Sequence, residues 1–231
     1  INPCKLLAQE IKGIVISVDY RLAPEHLFPS GFNDCYRVLE YVNEHALALG
    51  INKDKLGVAG DSAGGNLAAV VSLKDRNEGK HHVKFQGLIY PVVNVGDETN
   101  DYYDWSLDEY EMGGKHKNIT HRLTTSLKGS HGFITNLYLG ENNQQLRSEY
   151  VSPIFANDLS HMPITLLINA EYDFLRVEGE AYLKRLIKAG NIGEAIRYRG
   201  VDHAFMDKLG DYPEAEDMIK ELAKAFKKAI K

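Results

Sequence analysis

The chain has 231 residues, enough for one α/β domain with a sizeable core. Its 44% apolar and 26% charged residues are those of an ordinary globular protein, and a net charge of −5 leaves no basic footprint for nucleic acid. No apolar run approaches the ~20 residues of a membrane span, and the two cysteines, Cys4 and Cys35, are too few for a disulfide framework or a metal knuckle, which points to a reducing cytoplasm.

In chain order, Leu6, Leu7 and Ile11 predict a short helix closed by Gly13. The continuous apolar run Ile14-Val15-Ile16-Ser17-Val18 predicts a buried strand. After the proline-containing loop 23–29, Phe32, Cys35, Tyr36, Leu39, Val42, Ala46 and Leu49 recur at helical spacing up to Gly50. Residues 56–59 form a short apolar strand that runs into Gly60-Asp61-Ser62-Ala63-Gly64-Gly65 and then into a small-residue helix. A strand at 85–90 ends at Pro91, and Pro163 opens the next one at 164–168. A helix at about 177–189 stops at Gly190, a strand alternates through 196–199, and a last helix from about Pro213 gathers its apolar residues on one face.

Alternating strands and helices of this kind predict a mostly parallel sheet covered on both faces, an α/β fold. Residues 94–149 break the rhythm. They are polar, carry Tyr102, Tyr103, Trp105, Tyr110 and Phe133, and join two strands that should be close in space. A long insertion at the strand ends of such a sheet usually lies over the active site, so this segment is expected to be a cap within a single domain spanning 1–231.

Strand, then Gly-x-Ser-x-Gly, then helix is the setting of a nucleophile elbow. The chain turns so sharply that glycine is expected at the flanking positions, and the Ser62 hydroxyl is pushed out above the sheet. A serine hydroxyl is a poor nucleophile without a base, and the base needs a third group to fix its tautomer. In α/β-hydrolase order an acid and then a histidine follow the serine. Asp173 and His203 each lie just past a predicted strand, at the carboxyl ends where open α/β sheets place their ligands. Among the competitors, His131 precedes the acid strand, so chain order favours His203. Glu171 is the runner-up acid, and Asp202 adjoins His203, where neighbouring side chains point apart. No His-Glu-x-x-His or comparable spacing suggests a metal, and no cofactor motif is present.

Four blocks together resemble the hormone-sensitive-lipase-like branch of the α/β-hydrolases, the microbial carboxylesterases. They are Val18-Asp19-Tyr20-Arg21-Leu22-Ala23-Pro24-Glu25-His26, Gly60-Asp61-Ser62-Ala63-Gly64-Gly65-Asn66-Leu67, the run 170–182 from Ala170 through Glu178 to Tyr182, and His203-Ala204-Phe205. The resemblance runs nearly the whole chain in the right order. It implies an α/β-hydrolase fold with Ser62 as nucleophile, Asp173 as orienting acid, His203 as general base and the Ala63 N–H as an oxyanion donor. It implies a cytoplasmic carboxylesterase taking small, fairly apolar esters, with no cofactor, and association through the last strand and helix would give a homodimer. A non-catalytic binding protein on the same fold, or an amidase or peptidase with the same triad, are the alternatives. Phe174 stands where the family favours proline, and Ala204 where it favours glycine. The family's His-Gly-Gly-Gly loop, which supplies further oxyanion N–H groups, is not in the sequence. The chain, which starts at Ile1, is therefore expected to be N-terminally incomplete, with a gap in the sheet between the 14–18 and 56–59 strands.

Overall fold

The computed structural model describes residues 2–141 and 143–231. A sheet of four parallel strands forms its centre: β1 (Leu56–Asp61), β2 (Val83–Ile89), β3 (Ile164–Tyr172) and β4 (Gly193–Asp202), side by side in that order. Because every strand runs the same way, all four carboxyl ends lie along one edge. The helices are α1 (Asn2–Ile11), α2 (Ser30–Glu44), α3 (Ala63–Asn77), α4 (Lys117–Thr125), α5 (His131–Leu139), α6 (Arg176–Lys188) and α7 (Pro213–Ala229).

Side-chain alternation along the strands divides the core into two layers. Leu88 of β2 and Leu167 of β3 face α3 and α6, packing with Ala69, Leu73, Tyr182 and Leu186. Phe85, Ile89, Leu166 and Ile168 point the other way, onto Met218, Ile219 and Leu222 of α7, with Leu6 and Leu7 of α1 at the margin. The close approach of α7 depends on bare backbone in the sheet. A β-carbon at Gly57 would lie 2.8 Å from the Phe226 ring, and one at Gly87 would collide with Leu222. Helix α2 packs Phe32, Tyr36 and Leu39 against Leu67 and Val70 of α3 and Leu56 of β1.

One expected strand does not form. Residues 14–18 belong to no strand, and Ile14 and Ile16 are 56% and 46% exposed. A parallel strand is held by a neighbour's backbone, and the only strand paired with β1 is β2, so nothing among the described residues carries a ladder out to 14–18. Helix α2 also ends earlier than its apolar spacing suggests: Glu44 is its last residue, and residues 45–50 are turns. Strands β3 and β4 run longer than predicted and reach Tyr172 and Asp202, bringing Asp173 and His203 directly to the sheet edge. Between β2 and β3 the chain passes through α4, α5 and several short 3-10 turns, then returns to the core at the fully buried Val151 and Ile154. No helix among the described residues is long and apolar enough to cross a membrane.

Candidate active site

Ser62 occupies the turn between β1 and α3 with φ 53° and ψ −117°, a conformation that costs a non-glycine residue on the order of 1–3 kcal/mol. Hydrogen bonds hold it there from both sides. Its N–H donates to Ile89 O at 2.9 Å, and its carbonyl accepts from Val92 N at 3.2 Å and Asn66 N at 3.1 Å. The glycines around it are not equivalent. A β-carbon on Gly60 would overlap the Gly64 carbonyl, and one on Gly65 would lie 2.8 Å from the Pro91 side chain. At Gly64 the nearest atom would be Asp61 Oδ1 at 3.8 Å, an ordinary contact. Steric necessity therefore falls on Gly60 and Gly65, and the expectation for the second glycine of the Gly-x-Ser-x-Gly motif is corrected. Ala63 begins α3 and is exposed, and the first-turn N–H groups of a helix have no acceptor within it.

Asp173 and His203 converge on this turn. His203 Nδ1 is 2.7 Å from Asp173 Oδ2, and Nε2 is 2.9 Å from Ser62 Oγ. With a carboxylate accepting at Nδ1, the neutral ring carries its proton there, and Nε2 accepts from the serine hydroxyl. The Asp173 side chain is fully buried, and its second oxygen accepts from Leu175 N at 2.9 Å. The imidazole keeps 16% exposure and meets the Tyr90 ring at 4.8 Å between centroids, tilted by 61°. Ala204, next in sequence, adopts the left-handed conformation at φ 62°, which accounts for the pattern's preference for glycine there.

The competitors lie elsewhere. Glu171 Oε2 accepts from Gly200 N at 2.7 Å, across to the neighbouring strand, and Asp202 is the last residue of β4, in register with Tyr172. His131 opens α5 within the insertion, and its side chain lies outside the described part of the structure. Among the described residues no group of three His, Cys, Asp or Glu side chains could hold a metal ion.

The profile of a family described as alpha/beta hydrolase fold matches residues 2–207. The chain belongs to the alpha/beta hydrolase fold family. It is 36% identical over 202 residues to an arylesterase of Saccharolobus solfataricus, a match covering 87% of this chain and 61% of that one. With the carboxylesterase NlhH of Mycobacterium tuberculosis it shares 30% identity over 219 residues, covering 95% and 65% of the two chains. Among solved structures it superposes on the Pyrobaculum calidifontis esterase with a TM-score of 0.83 at 40% identity, over 98% of this chain and 70% of that one. The chain thus spans less than two thirds of the length of these curated relatives.

Around this candidate site lie buried polar groups that no sequence motif marks. Asn66 of α3 donates through Nδ2 to Val92 O and Val151 O, both at 2.9 Å, tying together the points where the insertion leaves and rejoins the core. Tyr110 of the insertion donates its hydroxyl to Asp173 O at 2.9 Å, and Trp105 packs on Phe174 beneath Lys128. Glu178 of α6 accepts at Oε1 from Val93 N at 2.7 Å and Asn94 N at 3.2 Å. Burial pushes the Glu178 carboxyl up to about 8. The two N–H groups oppose that rise, while the negative charges of Asp97 and Asp173 add to it.

Two predictions follow from this geometry. Gly60→Ala should destabilise the fold by about 3 kcal/mol or more in urea denaturation, because only backbone movement relieves the overlap, whereas Gly64→Ala should stay within about 1 kcal/mol. Equal effects would contradict the steric assignment. The second concerns pH. Folded Glu178 keeps a proton that the unfolded chain releases above an ordinary value near ~4.3, so the native state binds more protons between there and about 8. Its contribution to stability should fall as pH rises across that window and level off above it. Glu178→Gln should flatten the stability profile between pH 5 and 8, and an unchanged slope would count against the buried carboxyl as its source.

Proposed function

We propose that this hydrolase is a serine carboxylesterase acting on small, fairly apolar esters. The observation that carries the reading is the unbroken hydrogen-bonded line from Asp173 through His203 to Ser62. Its relatives, an arylesterase and a carboxylesterase, support the substrate class.

In this mechanism Ser62 Oγ attacks the ester carbonyl while His203 Nε2 takes the hydroxyl proton. Asp173 holds the imidazole in the required tautomer and stabilises the imidazolium. The carbonyl oxygen becomes an oxyanion that accepts from the Ala63 N–H at the start of α3, where the helix dipole adds to the attraction. Collapse breaks the bond to the alcohol, which leaves with the proton held on Nε2. Water then attacks the acyl-serine, His203 again accepting a proton, and release of the carboxylic acid restores Ser62. The bond between Tyr110 and the Asp173 backbone supports residues 94–149 as a cap over the site within one hydrolase domain. The unpaired Cys4 and Cys35 are in keeping with a cytoplasmic location. Pairing of two copies along β4 and α7 is the association we would look for first.

Hydrolysis of p-nitrophenyl acetate by purified variants tests the assignment. Ser62→Ala should abolish turnover, and Asp173→Asn should lower kcat by about 10⁴-fold with the fold intact, because the imidazole then settles in the wrong tautomer. Wild-type turnover in Ser62→Ala would refute the nucleophile. Faster cleavage of acetanilides than of the matching acetates would favour the amidase alternative.

A further inference from the structure

Glu178 is among the most deeply buried ionisable groups of the protein, with 1% exposure, and the chemistry above gives it no part. It lies in the first turn of α6, five residues beyond Asp173. An acidic side chain there would ordinarily face its own helix N-terminus, yet Oε1 instead takes the N–H groups of Val93 and Asn94. The segment it grips is the one that fixes the nucleophile. Val92, immediately before, donates its N–H to Ser62 O and accepts at its carbonyl from Asn66 of α3. At the other end, Asp173 is fastened to the start of α6 by Leu175 N on its carboxylate and Arg176 N on its carbonyl. Gly179 lets the helix come close enough: a β-carbon there would already be 3.3 Å from Asn169 Oδ1 and 3.7 Å from the Pro91 ring.

Two routes therefore join the acid to the nucleophile. One is the imidazole of His203. The other is a buried path from α6 through Glu178 to residues 92–94 and on to Ser62. We infer that Glu178 is a positioning residue, which holds the acid-bearing helix and the nucleophile turn at the one separation that the imidazole of His203 can bridge. The inference rests on the esterase reading for its kinetic consequence and on the hydrogen-bond path alone for its geometric one. An imidazole bonded at 2.7 Å on one nitrogen and 2.9 Å on the other has no slack, and misplacement by about 1 Å is enough to cost ~10²-fold in rate. Tyr103, whose hydroxyl lies 3.4 Å from Oε2 and also accepts from Asn94 Nδ2 at 2.8 Å, closes the outer side of the carboxyl.

Glu178→Gln, Glu178→Asp and Glu178→Ala separate positioning from bulk stability. Glutamine keeps an oxygen where Oε1 sits in a neutral group of the same length, whereas aspartate keeps the carboxyl but is one methylene too short to reach both N–H groups. With p-nitrophenyl acetate, the alanine and aspartate variants should lose roughly tenfold or more in kcat with KM within about twofold, and the glutamine variant should stay within about threefold of wild type in both. Crystal structures of the same proteins should show the Ser62 Oγ to His203 Nε2 separation opening beyond ~3.2 Å in the aspartate variant and held in the glutamine variant. A folded Glu178→Ala with wild-type kcat, or a loss confined to KM, would overturn the inference. If the alanine variant does not fold, a Glu178→Asp protein with an unchanged separation and wild-type kcat would overturn it equally. A wild type that binds but does not turn over esters, with the separation still opening in the aspartate variant, would defeat the esterase reading and leave the positioning role supported.

Discussion

Both nitrogens of one imidazole are occupied, and that constraint organises the upper edge of this molecule. His203 meets Asp173, 30 residues before it, and Ser62, 141 residues before it, each within 2.9 Å. Three chain segments can meet so tightly because β1, β3 and β4 are parallel and deliver their carboxyl ends to the same edge. Each segment is then turned by a local device: the strained backbone of Ser62, the side chain of Asp173 folded onto Leu175 N, and the left-handed Ala204 after the histidine. The strain at Ser62 persists because Ile89, Val92 and Asn66 all bond to that one residue.

Behind the site lies a buried polar framework. Asn66 bonds to both roots of the 94–149 segment, Ser152 accepts from Val95 N at 2.9 Å, and Glu178 grips residues 93 and 94. Irregular backbone at this depth would be destabilising if its N–H and C=O groups went unmet. Side chains of α3 and α6, together with Ser152, satisfy these groups. The positions of residues 94–149 and of the line from Asp173 through His203 to Ser62 are thus mechanically linked.

The readable parts of the sequence were those whose cause is local. The sharp turn at Ser62 leaves no room for a side chain at Gly60, so a glycine marks it, and placing Asp173 and His203 just past strands followed from apolar runs and chain order. Non-local causes were harder to see. The run 14–18 has the composition of a buried strand, but burial depends on a neighbour that composition cannot supply. Leu49 continues the apolar spacing of α2, yet the helix ends at Glu44 and Leu49 sits among turns. Strand β4 extends from Gly193 to Asp202 because β3 offers a pairing partner along that length, while its own alternation is evident over only four residues. Gly65 outranks Gly64 because of Pro91, 26 residues away, and Glu178 reads as one more acid in a helical turn until the backbone of residues 93 and 94 is seen against it.

The central question is whether the hydroxyl at residue 62 is activated by the histidine beside it. Reaction with a fluorophosphonate probe, read by peptide mass spectrometry, measures that directly. One adduct on the peptide containing Ser62, lost when His203 is replaced by alanine, is the predicted result. An unmodified Ser62 in folded protein, or labelling that is indifferent to His203, would contradict it.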